Sequence, residues 1–477
     1  MSLTTRSTRP HPRPTQTRTP FRLPSARRSL QLTLVLAFPA LSACTDRVTD
    51  ATSPPSLSSS SASATRSFPT TELASVGWQE QARLLVAPRR LSPLDATRIY
   101  ALLGVAQYGA VVEADKNVDA DGTLQENGQG FGDGGRSRFE ARRGAVAGAS
   151  AQILSSFFPA VDLPASGVFP AASFPAAAAA LEQRLSDEGK AGPGGVNPYF
   201  TRGVAIGRAW GEVMKTWAGA DGYTRTVCTS AAQSSTCWPG AYPSAATGVW
   251  ISNLGVAPAG PQFGAMKPYF LTSPSEFHPA TPPPVGSATY VTDLAEVSSY
   301  STTVNIRTAA QLADAVNLNL NVGSITPLGR WDEMASGYIA EQRFDERAAA
   351  HVFALTNAAA MDALIGCWEG KYTYYYWRPW AANTLITSLP IGKPNHPSYP
   401  SGHSCVSAAS ADVLKAFFPE PAHVAALEDL VIRNGNSRIY AGIHFRFDVL
   451  AGQLLGRNVA ATALAYDRAN GLLAAVR

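Results

Sequence analysis

This 477-residue chain is short of cysteine, with five, and of charge, with 16% Asp, Glu, Lys and Arg. So few cysteines cannot build a disulfide-dense scaffold; the body must rest on an apolar core, for which 45% hydrophobic residues are ample. Basic runs are missing as well. Residues 1–43 hold Arg6, Arg9, Arg13, Arg18, Arg22, Arg27 and Arg28 and no acid, which leaves 32 basic residues against 35 acidic from Cys44 onward. Neither a basic stripe nor a nucleic-acid recognition motif is present, so no nucleic-acid partner is expected. Strand alternation is scarce, no internal repeat is evident, and beyond the leader no run of 18 apolar residues marks a spanning helix.

The leader itself reads as an export signal: arginines, then Leu30 to Ala43 (LQLTLVLAFPALSA), too short and too Pro-interrupted to span a bilayer. It ends in Leu-Ser-Ala-Cys, which resembles a bacterial lipobox. Cys44 is then the expected lipidated N-terminus of an exported, membrane-anchored protein, periplasmic or at the cell surface; an ordinary cleaved signal peptide is the alternative. Residues 44–72, rich in Ser, Thr and Pro, read as a disordered tether.

The remainder reads as mostly helical. Ser92-Pro93 with Asp95 supplies a cap, a first-turn proline and an early acid ahead of an apolar periodic run to Val112. Further helices are expected over Phe139 to Phe158, Pro175 to Leu185, Thr201 to Ala218, Thr308 to Leu318, Asp345 to Gly370, Ser404 to Phe418, Ala422 to Arg433 and Asp448 to Ala465. Between Gly219 and Thr302 the chain reads as a loop that wraps the body, because eight prolines from Pro258 to Pro284 oppose regular helix. The expected fold class is all-α: helical bundles with a long proline-rich wrapping loop. Asn117, Asp119, Asp121 and Gly122 start like a calcium loop, but position twelve is Gly128, so this stretch is read as a solvated turn.

Three segments near the C-terminus carry the chemistry: Lys371 to Pro379 (KYTYYYWRP), Pro400 to His403 (PSGH) and Ser437 to Asp448 (SRIYAGIHFRFD). Lys371, Arg378 and Arg438 supply positive charge, and guanidinium forks suit oxyanions because they donate in a planar, bidentate pattern. Ser401 reads as a helix cap, with Gly402 and the free N–H groups of the first turn facing an anion. His403 sits where it could exchange a proton near neutral pH. His444 and Asp448, four apart, are expected on one helix face, the carboxylate orienting the imidazole.

Read as Lys-x6-Arg-Pro, Pro-Ser-Gly-His and Ser-Arg-x5-His-x3-Asp, these segments resemble the signature shared by vanadium-dependent haloperoxidases and type 2 phosphatidic acid phosphatases. The resemblance implies helical bundles of that type, with residues 306–477 as the catalytic domain and 73–305 as an N-terminal helical and loop-rich part. It implies that His444 is the axial ligand of vanadate, or the nucleophile that becomes phosphorylated. His403 is correspondingly the acid-base residue, Lys371 polarises bound peroxide, and Lys371, Arg378, Ser401, Gly402 and Arg438 hold the equatorial oxygens.

Trp368 matches a tryptophan on the halide side of the chloroperoxidase pocket, although it also fits as core. His396 stands where the family's fungal chloroperoxidases carry Phe and its algal bromoperoxidases a second His; an exposed loop residue is the alternative. Cys228 and Cys237 bracket a short polar loop as a candidate disulfide, and Cys367 and Cys405 flank the site either as a bridge or as two buried thiols. The function implied is halide oxidation by hydrogen peroxide with vanadate as cofactor, bromide or iodide rather than chloride. The alternatives are an exported acid phosphatase acting on phosphate monoesters without cofactor, and a non-catalytic oxyanion-binding lipoprotein.

Overall fold

The computed structural model describes residues 73–476 apart from 121–132, 159–160, 164–171, 175–176, 191–196, 226–242, 253–257, 303–304 and 390. The leader, the tether, Cys44, Cys228, Cys237 and most of the calcium-like turn lie outside them. Thirteen α-helices are found among the described residues: α1 (Ala74–Val86), α2 (Pro93–Ala120), α3 (Asp133–Phe157), α4 (Ala178–Lys190), α5 (Pro198–Gly219), α6 (Ala288–Ser301), α7 (Ala309–Asn317), α8 (Thr326–Gln342), α9 (Glu346–Tyr374), α10 (Pro379–Ala382), α11 (Gly402–Phe417), α12 (Pro421–Tyr440) and α13 (Arg446–Asn470). The only described strands are β1 (Val161–Leu163) and β2 (Ala172–Phe174), paired antiparallel. The fold is all-α.

α9 lies at the centre. It is apolar on every side and long enough to cross a membrane, yet 89% of its most apolar stretch is buried inside the protein. A helix with no polar face is a core helix. Asp345 starts it by accepting from Ala348 N at 2.8 Å, and Tyr375, in the left-handed region at φ 48°, ends it. One apolar core runs from α1 through α9 and α11 to the C-terminus, without a break near residue 305.

Three helices carry no strong signal in the sequence. α1 has no side-chain cap of its own; its first N–H groups, at Ala74 and Ser75, donate to the Glu346 carboxylate at 2.7 and 2.8 Å, from α9. α8 starts at Ile325 without a side-chain cap and holds Gly329 and Gly337. α6 corrects the reading of Gly219 to Thr302 as loop throughout: the prolines end at Pro284, and Ser287 caps a helix over Ala288–Ser301 by accepting from Tyr290 N at 3.3 Å.

The proline-rich stretch is fastened to the body by groups that suit its chemistry. Proline lacks an N–H but keeps its carbonyl, so such a stretch offers acceptors. Tyrosine hydroxyls meet them: Tyr374 to Pro279 O (2.6 Å), Tyr376 to Pro283 O (2.8 Å) and Tyr399 to Ala280 O (2.7 Å). From the other side, Asp362 on α9 accepts the backbone N–H groups of Tyr269, Phe270 and Leu271 at 2.7, 2.7 and 3.3 Å.

α11 and α13 pack so closely that a Cβ at Gly452 would lie 2.6 Å from Ser401 O, and one at Gly456 2.3 Å from Cys405 O. That contact fixes the start of α13 against the start of α11.

Candidate active site

Four helix ends meet here. Lys371 is in the last turn of α9 and Arg438 in the last turn of α12, because both helices run further than their sequence patterns indicate. Gly402 opens α11, and His444 precedes α13 by two residues.

Asp448 organises the centre. Its Oδ2 accepts from Ser398 Oγ at 2.6 Å, His444 Nδ1 at 2.8 Å and Phe445 N at 3.0 Å. His444 and Asp448 are therefore paired, but not across one helix face as expected: His444 lies outside α13, and Asp448 reaches back from the first turn as a capping carboxylate does. Since Nδ1–H donates to the carboxylate, Nε2 carries the lone pair, and it accepts from Arg378 Nη1 at 3.1 Å.

Arg378 ties the centre to the loop before α11. Its Nε donates to His396 O at 3.1 Å, Nη1 to Ile443 O at 2.6 Å and Nη2 to His396 Nδ1 at 3.1 Å. Arg438 donates to Ser437 Oγ, Asn319 Oδ1 and Ala315 O at 3.0, 3.0 and 3.2 Å, so three of its N–H groups have protein partners among the described residues. His403 Nε2–H donates to Asn319 O at 2.8 Å. Asn319 and Ser398, which hold the histidines and the carboxylate in place, lie outside any motif; nothing in the sequence singles them out.

Two expectations, at Ser401 and Lys371, need correction, and the alternative left open at Cys367 and Cys405 is decided. Ser401 is the residue preceding α11, but its hydroxyl does not cap; it is buried with no hydrogen-bond partner among the described residues. Cys367 and Cys405 are free buried thiols, not a bridge, and Cys367 Sγ faces Pro400 O at 3.7 Å. Lys371 is placed differently from an oxyanion contact: its Nζ donates to Pro397 O (2.9 Å), Ser398 O (2.9 Å) and Pro400 O, which uses all three ammonium donors. In this arrangement it clamps the loop that carries Ser401.

Gly402, His403, Arg438 and His444 form the polar end of a cavity of about 390 Å³, also lined by Trp368 and His396. The two rings lie 5.0 Å apart, and a Cβ at Gly402 would stand 3.0 Å from the indole. Trp368 is thus both buried and pocket-lining. His396 is held by Arg378 against the cavity and is not a free loop residue.

The electrostatics are one-sided. Lys371, Arg378 and Arg438 are fully buried against a single buried carboxylate, Asp448. Burial pushes Lys371 down to about 8, Arg378 to about 10 and Arg438 to about 9. Burial, then the Arg438 charge, takes His403 down to about 3, and burial followed by the Arg378 charge holds His396 and His444 well below the usual imidazole range. The three histidines are neutral at pH 7, so two buried positive charges have no counter-charge. An entering dianion would supply it.

The donor set fits a tetrahedral or trigonal oxyanion: one imidazole nitrogen, His444 Nε2, whose lone pair faces Arg378 Nη1, two guanidinium groups, and a serine hydroxyl without a partner among the described residues. A bare cation fits poorly, since among the described residues no three His, Cys, Asp or Glu side chains are placed to hold a metal ion together.

The sequence model of the PAP2 superfamily matches residues 348–471. The match is to that stretch and not to the whole chain. It runs from the first turn of α9 to just past the end of α13 and so contains every residue of the polar cluster except Asn319 and Ala315.

The vanadium-dependent bromoperoxidase of Ascophyllum nodosum is 31% identical over 102 residues, a match that takes in 16% of this chain and 18% of that relative. The chain therefore spans under a fifth of that relative's length. Beyond the PAP2 region, a bacterial vanadium-dependent iodoperoxidase shares the fold with a TM-score of 0.63 at 20% identity, over 84% of this chain and 98% of its own. A bacterial vanadium-dependent chloroperoxidase in its apo form does so at 0.56 and 15% identity, over 81% and 96%.

Proposed function

We propose that the protein is a vanadate-dependent haloperoxidase that oxidises bromide or iodide with hydrogen peroxide. The observation that carries this reading is the pairing of one imidazole lone pair, His444 Nε2, with a buried surplus of two positive charges around it. The fold shared with haloperoxidases over four-fifths of the chain, including residues before the PAP2 match, supports it.

His444 Nε2 would hold vanadate, and Arg378, Arg438, the Ser401 hydroxyl and the N–H groups at the start of α11 would meet its oxygens. Bound there, vanadate supplies a Lewis acid that activates peroxide towards halide. Asp448 keeps Nδ1 protonated and so keeps Nε2 available. His403, neutral and held through Nε2–H, presents Nδ1 as a proton acceptor. Lys371 fixes the Pro397–Pro400 carbonyls; to touch an anion it must release one of them. His396 beside Trp368 matches the position at which bromoperoxidases carry histidine, which favours bromide or iodide over chloride. Cys44, as a lipid attachment point, would tether the enzyme outside the cytoplasm.

The PAP2 match favours a second reading on the same atoms: His444 Nε2 forms a bond to phosphorus as the P–O bond of a phosphate monoester breaks, the cations stabilise the transition state, and His403, once it has taken a proton on Nδ1 beside the bound anion, gives that proton to the leaving oxygen. The two are separated by assaying vanadate-loaded protein for bromide-dependent bromination of monochlorodimedone, and anion-free protein for p-nitrophenyl phosphate hydrolysis. Bromination that requires vanadate and is lost in His444→Ala is the expected result. Ester hydrolysis with no peroxide-dependent bromination overturns the first reading in favour of the second.

A further inference from the structure

We infer that the apolar half of the cavity is a binding chamber for an organic substrate: an uncharged, largely aromatic molecule that donates one hydrogen bond to Gln262. Calling it a substrate rests on the proposed function; the binding site itself does not.

Size is the first argument. Halide and peroxide are close to a water molecule in bulk, about 30 Å³, whereas the cavity holds about 390 Å³, the scale of sites that enclose small organic ligands. The walls away from the histidines are Leu94, Phe263, Leu364, Trp368 and Val406, apolar or aromatic and supplied by α2, the 3-10 turn Pro261–Ala265, α9 and α11. No cation other than Arg438 lines the cavity among the described residues, so it has no charge to hold a second anionic group.

Polarity is the second. Ser92, Asp95 and Tyr223 also reach the chamber, but they satisfy one another: Ser92 Oγ donates to Asp95 Oδ2 at 2.7 Å, and the Tyr223 hydroxyl donates to Asp95 Oδ1. Gln262 does not follow this pattern. Its Oε1 is buried without a partner among the described residues, on a side chain that lines the cavity. A buried acceptor without a donor is costly, and a ligand O–H or N–H would relieve it.

The mount is rigid, as a specificity group requires. Ala259 O, just before the turn, accepts from Trp368 Nε1 at 3.0 Å and from the Tyr372 hydroxyl at 2.9 Å. Gly260 adopts φ +59°, and a Cβ there would stand 2.3 Å from Leu94 Cδ1. The turn is thereby locked to both α9 and α2.

The test is calorimetric titration of the whole protein, without vanadate, halide or peroxide, using 2-naphthol and 2-methoxynaphthalene, which share the rings but differ in the donor. Wild type should bind the naphthol about tenfold more tightly than the ether, the size expected of one hydrogen bond to a buried acceptor. Gln262→Leu and Gln262→Met should each reduce naphthol affinity to that of the ether. No saturable binding, equal affinities in wild type, or a preference that survives both substitutions would overturn the inference. Wild-type titrations need no variant to fold. Donor-selective binding in a protein that brominates nothing would uphold the chamber and sink the haloperoxidase reading; bromination without naphthol binding would do the reverse.

Discussion

Asp448→Asn should uncouple stability from function, and the direction follows from burial, which outweighs the opposing pull of Lys371 and Arg378 on the carboxylate. Burial lifts the Asp448 carboxyl to about 6, above its value of about 3.9 in an unfolded chain. The folded protein therefore keeps this proton to higher pH than the unfolded chain does. The stability that the proton contributes is complete below about 3.9 and is lost as pH rises through about 6. Asparagine imitates the protonated acid: its oxygen can accept from Ser398, His444 and Phe445, and its amide occupies the position of Oδ1, which has no partner among the described residues. It never loses that neutral state. Between pH 5 and 7.5 the stability difference, variant minus wild type, should shift by about 1 kcal/mol in favour of the variant. With unfolding entropy near 0.7 kcal/mol/K for the roughly 350 described residues, that is about 1 to 2 °C in Tm. The fixed cost of burying the amide and the titration of His396, His403 and His444 occur at both pH values or in both proteins and cancel in this double difference. Differential scanning calorimetry in anion-free buffer measures it. Bromination should meanwhile fall about 100-fold, about 2.7 kcal/mol, because a neutral acceptor no longer supports charge on His444. A shift of the opposite sign would mean that Lys371 and Arg378 outweigh burial and hold the carboxylate ionised below its ordinary range.

His444→Ala should abolish vanadate binding by equilibrium dialysis as well as both candidate activities; wild-type uptake in that variant would remove Nε2 from its assigned place. His396→Phe, in fully loaded enzyme, should change the bromide-to-chloride ratio or its pH profile, since the hydrogen bond from Arg378 Nη2 at 3.1 Å disappears; unchanged ratios would leave His396 without a part in halide choice. Asp362→Ala should lower Tm by several degrees in calorimetry, because three buried N–H groups lose their acceptor at about 1–3 kcal/mol each; an unchanged Tm would show that the proline-rich stretch is held by other means. Cys44→Ser should move the protein from the membrane fraction to the soluble fraction or leave the leader uncut; native protein found wholly soluble would count against lipidation.

Three of the helices legible from the sequence have a start that is encoded locally. Ser92-Pro93, Thr308 with Gln311, and Asp345 announce α2, α7 and α9 because cap and helix lie within a few residues. α1 was illegible for the opposite reason: its cap is Glu346, 272 residues away. The ends of α9 and α12 were also misjudged. The apolar pattern stops near Gly370 and Arg433, whereas the helices continue to Tyr374 and Tyr440 because their last turns are held by tertiary contacts, including Lys371 on the Pro397–Pro400 carbonyls and Arg438 on Asn319.

The same distance rule separates what could and could not be read of the site. Residue types and order were enough to gather Lys371, Arg378, Ser401, Gly402, His403, Arg438, His444 and Asp448, but not to say how each is engaged. Lys371 is the clearest case. A lysine beside a proposed oxyanion site reads as an anion contact, and nothing local indicates three carbonyls waiting in a loop 26 to 29 residues on. The tyrosines around it follow the same logic, since their hydroxyls answer carbonyls of a proline-rich stretch some 90 to 120 residues earlier. The KYTYYYWRP segment is thus a fastening strip as much as a charge donor. It binds the wrapping stretch on one side and the Ser401 loop on the other, so the cavity keeps its shape before any anion arrives. Preorganisation of that kind explains why buried cations are tolerated at all: their cost is fixed at folding, and the anion that enters meets charges that need little further desolvation.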